Sequence, residues 1–329
     1  MRLWGVRGIA FGAVWLGLAG ACMAQMPAGK LLVVNKDDSA LAIVDARTMD
    51  SVKVATGPVP HEVAASADGK YAVVTNYGAH QDGTTISAID LTTRKETRVD
   101  LGGLRGPHGV VFFNGKAWFT VEGSKKIARY DPTTNKIDWT HDIGQDRTHM
   151  LVISKDGHSI YTSNVNSDSV TVVTANMDES QWTNTVVKVG KGPEGIDLSP
   201  DGMEVWAANS GDGTVSIIDT ATKKVKQTVN VGTKHSNRLK FTPDGRLALI
   251  SDLGSGDLVV MDVASRKEVK RINLGKNAEG IQVLPDGSRA FVAVSGDNKV
   301  VLVDLKTCAV APAAVQGKDP DGMAWVPAD

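Results

Sequence analysis

One hydropathy phrase recurs along this chain: a polar residue opens an alternating apolar strand, and a glycine turn ends it. Its plainest copy is Glu194-Gly-Ile-Asp-Leu-Ser-Pro-Asp-Gly202. The phrase returns over residues 61–69, 108–115, 149–157, 237–245 and 279–287, and a seventh copy opens at Asp321. Successive starts lie 47, 41, 45, 43, 42 and 42 residues apart. A second phrase, an apolar strand ending in aspartate, falls at Asp45, Asp90, Asp131, Asp219, Asp262 and Asp304, with Thr174 in the place of the remaining copy. Asp-Gly and Asn-Gly between apolar runs predict hairpins, because glycine accepts the positive φ such turns require. Each repeat therefore reads as four antiparallel strands; in the repeat opened by Asn237 they span 239–242, 247–251, 257–262 and 268–274.

About forty residues per four-stranded unit is the spacing of a propeller blade. The expected fold is all-β, a seven-bladed β-propeller with four-stranded antiparallel blades. The seventh phrase has no hairpin turn after it, so its strand at 322–326 is expected to pair with 31–35 at the other end of the chain. That pairing closes the ring without an exposed edge.

Composition adds compartment and exclusions. The chain has 329 residues, 42% hydrophobic and 22% charged, with 34 glycines, which excludes a disordered, collagen-like or coiled-coil protein. A formal net charge of -1 argues against a nucleic-acid partner. Residues 1–24 read as a signal peptide, with Arg2 and Arg7 ahead of an apolar stretch at 9–21 and cleavage expected after Ala24. The propeller then occupies 25–329, with periplasmic or secreted localisation. An alternative takes 18–22 as a lipoprotein site with Cys22 lipidated, although its leucine sits one place too early. No later segment reaches ~18 apolar residues, so no transmembrane span is expected. Cleavage leaves Cys308 alone and rules out an intramolecular disulfide. A monomer is expected.

Meander topology gathers the starts of all seven inner strands around one mouth of the central channel. The opening residues are His61, His108, His149, Glu194, Asn237, Glu279 and Asp321, all polar. Two residues further on stand Val63, Val110, Leu151, Ile196, Leu239, Ile281 and Met323, all apolar. A polar funnel over a packed layer is a site for a small molecule or a protein partner on this top face. His61, His108, His149 and Glu194 lie on consecutive blades and could serve as ligands for a divalent metal, although polar residues at a channel mouth need no metal to explain them. Arg105, Arg147, Lys191, Lys234, His235 and Arg238 lie nearby on the same face; Arg147 or Arg238 could hold a carboxylate or phosphate, while a solvated loop charge is the simpler reading of any one of the six. Tyr77 and His80, on the loop 76–83, could fold over the funnel as a lid. Trp118, Trp206 and Trp325 read as core between blades, and the strand-ending aspartates as turn caps.

The phrases Val73-Val74-Thr75-Asn76, Tyr161-Thr-Ser-Asn164 and Trp206-Ala-Ala-Asn209 resemble those of the YVTN-repeat β-propellers, many of them exported bacterial proteins. That resemblance covers nearly the whole mature chain and implies the fold; it leaves activity open. Arg147-Thr-His149-Met also resembles the Pro-Arg-His-Met/Ile phrase of seven-bladed lactonases related to 6-phosphogluconolactonase. It implies His149 as general base, with Arg147 or Arg238 polarising an ester carbonyl. Two departures stand against it: no proline precedes Arg147, and Asn164 stands where those lactonases often carry a glutamate. Gly-x-Ser-x-Gly, Walker and complete Ca²⁺ loops are absent, and His61-Glu62 lacks the second histidine of a zincin helix. Three functions remain: a binding propeller, a lactone hydrolase, or a metal- or redox-handling protein using the histidine arc. The first needs nothing beyond what is seen.

Overall fold

The computed structural model describes residues 26–313 and 317–328, so the expected signal peptide, its cleavage site and Cys22 lie outside the described residues. Seven sheets of four strands follow one another, and in six of them each strand is hydrogen-bonded to its neighbour in sequence. We number the blades by their inner strands: Pro60–Ala65, Pro107–Phe113, Thr148–Ile153, Pro193–Leu198, Ser236–Phe241, Ala278–Val283 and Pro320–Pro327. In blade 7 the inner strand pairs antiparallel with Gly29–Asn35, opposing Leu31 to Trp325 and Val33 to Met323. The predicted closure by the two chain ends is therefore observed. Among the described residues no helix is long and apolar enough to cross a membrane.

Both faces of each blade are covered by neighbours, which is why the second strands read as continuous apolar runs rather than alternating ones. Leu31 and Val33 of blade 7 pack toward blade 6, while Leu32 and Val34 pack toward blade 1. Outer strands face water on one side and alternate, as in Lys136–Asp142, where Ile137, Trp139 and His141 are half-buried between exposed neighbours. The seven apolar residues two places beyond the ring each belong to a different interblade cluster. Trp118, Trp206 and Trp325 are interblade core. The strand-ending aspartates cap turns; Asp90 Oδ1, for example, accepts the Thr92 and Thr93 N–H groups at 2.8 Å.

Two details bring the inner strands close to the axis. Every inner strand of blades 1–6 carries a register shift beside its ring residue. The next position is glycine in four blades, and a Cβ on Gly280 would come within 2.1 Å of the Asp321 carbonyl oxygen. Glycine is required there by the approach of the adjacent backbone.

Candidate functional site

The mouth is assembled by bonds repeated around the ring. The residue after each second strand donates its N–H to the carbonyl two places ahead of a ring residue. Lys36 thus bonds Asp319, Tyr77 Val59, Glu122 Gly106, Val165 Arg147, Ser210 Gly192, Leu253 His235 and Ser295 Asn277, at 2.8–3.1 Å. These bonds set a second ring of side chains above the first. Hydroxyls near the ends of the second strands fix the first ring: Thr75 Oγ1 donates to the His108 carbonyl at 2.7 Å, Thr120 to that of His149 at 2.6 Å, and Ser163 to that of Glu194 at 2.8 Å. Each of these bonds joins neighbouring blades, so the imidazoles rest on the interblade framework.

The structure brings all seven predicted ring residues to one recess of about 160 Å³, with Lys36, Tyr77, Arg147, Arg238 and Leu253 completing its wall. His108 and His149 are 2% exposed, and the His61 side chain is 22% exposed. His61 Nδ1 lies 3.1 Å from His108 Nε2, and the His108 and His149 rings stack at 3.8 Å with a 31° tilt. His149 Nδ1 meets Glu122 Oε1 at 2.5 Å, and Tyr77 Oη donates to the other Glu122 oxygen at 2.7 Å. Glu194 lies beyond, with Oε1 3.5 Å from His149 Nε2 and Oε2 3.1 Å from His235 Nε2. His108 Nδ1 and His149 Nε2 are buried and make no hydrogen bond. An unpaired buried polar atom costs about 1–3 kcal/mol, so this pair calls for an explanation.

The far side is an ion-pair lattice. Arg238 reaches across the axis from blade 5 to Glu62 of blade 1, with Nε donating to Oε1 at 2.9 Å and Nη2 bonding the same oxygen. Its Nη2 also lies 3.4 Å from Asp321 Oδ1, and Nη1 donates to Asn237 Oδ1 at 3.0 Å. Lys36 Nζ holds Glu279 at 2.6 Å, Asp319 at 3.3 Å and Asp321 at 3.5 Å.

Burial and partners divide the titrations. Burial pushes His61 down to about 4 and His108 well below the imidazole range. Burial also acts to lower His149, but Glu122 and Glu194 outweigh it and raise the group. Burial, reinforced by Asp321, pushes Glu279 up to about 7. Burial opposes ionisation of Asp321 too, yet Lys36 and Arg238 hold it at about 2.

Several expectations need correcting. Arg238 is no solvated loop charge: it is 4% exposed on an inner strand, and its guanidinium is committed to Glu62, Asp321 and Asn237. Polarising an ester carbonyl would require it to abandon them. Arg105, Lys191 and Lys234 are exposed on the rim, and His80 stands in water; Tyr77 alone of the loop 76–83 candidates folds inward, its ring 4.7 Å from His61 and 5.1 Å from His108. Beside the expected arc stands a tighter set: ligand atoms of His108, His149 and Glu122 lie within 4.8 Å of one another. Glu122, Lys36 and the pairing role of Glu62 were missed. Aligning the residue after each second strand would have exposed Glu122 and Lys36, since the backbone bond there is the same in every blade.

Comparison with known proteins fixes the family. The family model described as "Lactonase, 7-bladed beta-propeller" matches residues 119–319, well over half of the chain. The chain belongs to the seven-bladed β-propeller lactonase family. A model for a domain of unknown function, DUF5074, also matches, over residues 16–188. Among curated proteins none matches. A provisionally assigned 6-phosphogluconolactonase from Bacteroides uniformis superposes with a TM-score of 0.76 at 15% identity, covering 92% of this chain and 100% of that one. A functionally unknown protein from Desulfotomaculum acetoxidans gives 0.75 at 16%, with the same coverages. Hydrazine synthase from Kuenenia stuttgartiensis gives 0.64 at 20%, covering 75% and 77%. At these identities the likeness is one of fold. Within this lactonase-family chain, Asn164 is a structural amide: its Nδ2 donates to Ser169 and Thr171 hydroxyls at 3.2 and 2.9 Å, and its Oδ1 accepts from Thr148 at 3.0 Å.

Proposed function

We infer that this protein binds a small polar molecule in the mouth of its channel. The observation that carries the reading is the recess itself: every lining residue but Leu253 is polar or charged. Its volume of about 160 Å³ is below the ~300–1,000 Å³ typical of drug-sized ligands, so the occupant is small or inserts only a head group. Half-exposed Arg147 and His235 stand at the entrance to meet a carboxylate or carbonyl, whereas the carboxylates of the mouth are buried. The leader-like residues 1–24 favour action outside the cytoplasm.

A second reading, hydrolysis of a lactone, is favoured by family membership and by the Glu122–His149 contact, which orients the imidazole as a base-and-orienter pair does. Arg147 rather than Arg238 would then polarise the carbonyl. Against it, Glu122 and Glu194 raise His149 and so stabilise its charged form, whereas a general base must be neutral.

A thermal-shift panel of small acids, sugars and lactones, run beside a lactone-hydrolysis assay, separates the readings. Binding predicts ligands that raise Tm in the native protein and lose their effect in Asn237→Leu, without turnover. Turnover abolished by His149→Gln would replace the first reading with the second. A panel that shifts neither protein and yields no product would sink both.

A further inference from the structure

We propose that His108, His149 and Glu122 bind one divalent transition-metal ion, with the open side of the channel mouth supplying its remaining coordination positions. The inference rests on the reading that the mouth is the ligand site, and it names that ligand's chemistry. Two imidazoles and one carboxylate with vacant positions are the donor set of hydrolytic zinc and non-haem iron sites. All three side chains come from two adjacent blades: His108 and His149 on inner strands, and Glu122 on a short turn whose N–H bonds Gly106 of its own blade. Their ligand atoms are already within 4.8 Å of one another.

The unpaired nitrogen of His108 is the second, independent observation. If His61 Nδ1 accepts the proton of His108 Nε2, His108 Nδ1 is left with a lone pair; with its proton on Nε2, facing Glu194 Oε1 at 3.5 Å, His149 offers Nδ1 beside Glu122 Oε1. His108 Nδ1 is buried without a hydrogen bond, a condition that a metal ion would relieve. Outer partners of the kind that orient metal ligands are also in place: His61 on His108, and Tyr77 Oη on Glu122 Oε2. The buried carboxylate of Glu194, 3.5 Å from His149 Nε2, faces the other edge of that ring and fixes its orientation. Because the two rings stack with a 31° tilt, coordination requires one imidazole to turn about its χ2 bond so that both lone pairs meet the ion.

The experiment is calorimetric titration of Zn²⁺ into tag-free protein, with the visible spectrum of the Co²⁺ form as a readout of ligand geometry. One ion per chain is expected, with affinity reduced at least 100-fold in Glu122→Gln and His149→Gln, and about 10-fold in Tyr77→Phe. His158→Gln, at an exposed turn, tests for adventitious surface binding and should change nothing. Thermal unfolding of each variant separates lost ligation from lost folding, and Tyr77→Phe keeps the test open if a buried substitution misfolds. Absence of stoichiometric Zn²⁺, or binding that survives Glu122→Gln but is lost in Glu194→Gln, overturns the proposal. Small organic ligands that still raise Tm in a protein indifferent to Zn²⁺ would leave the binding reading standing without the metal.

Discussion

The two sides of the channel mouth grow from equivalent strand positions yet hold their polar groups differently. On the side of blades 5–7, Lys36 and Arg238 are each surrounded by carboxylates, so every charge has a partner at hydrogen-bond range. On the side of blades 1–3, imidazoles stack on one another and leave two buried nitrogens without one. A saturated network resists change because removing one member strands another in low dielectric. An unsaturated one is held in its strained state by the surrounding blades and gains from a ligand. On the proposed binding reading, the same ring position serves cohesion in one arc and recognition in the other.

The largest expected effect breaks the saturated side. Arg238→Met leaves Glu62 buried without its partner and should cost about 3–5 kcal/mol in denaturant unfolding. The double variant Glu62→Leu/Arg238→Met should recover much of that loss. Equal losses in the single and double variants would mean that packing, not charge pairing, is what Arg238 contributes. Next comes the crowding that brings both arcs together: Gly280→Ala drives a Cβ toward the Asp321 carbonyl and should cost about 1–3 kcal/mol. An unchanged unfolding midpoint would show that the inner strands can separate freely.

The smallest effect sharpens the contrast through pH. Glu279 binds its proton more tightly folded than unfolded, with its pKa moved from 4.5 to about 7. Its contribution is therefore full below about 4.5 and is lost as pH rises through about 7. The stability of the native protein relative to Glu279→Gln should fall across that window when urea midpoints are compared. A difference that stays flat from pH 4.5 to 8 would contradict the burial argument.

The fold was legible because its signals recur: the glycine hairpins, the strand-ending aspartates and the apolar second strands each appear in nearly every blade. The first ring was legible for the same reason, since one strand phrase always opens with it. The second ring was not. Its seven positions hold Lys36, Tyr77, Glu122, Val165, Ser210, Leu253 and Ser295, so a backbone hydrogen bond repeats where no residue type does. Nor could the Arg238–Glu62 pair be read in advance, because 176 residues separate two groups that meet only when the ring is complete.

Blade 7 joins the two ends of the chain, and its closing strand carries Asp321, which neighbours Arg238, Lys36 and His61. Latching the circle and finishing the pocket are consequently a single event. A ribosome product stopped short of that last strand would lack both, whatever the quality of the six blades behind it.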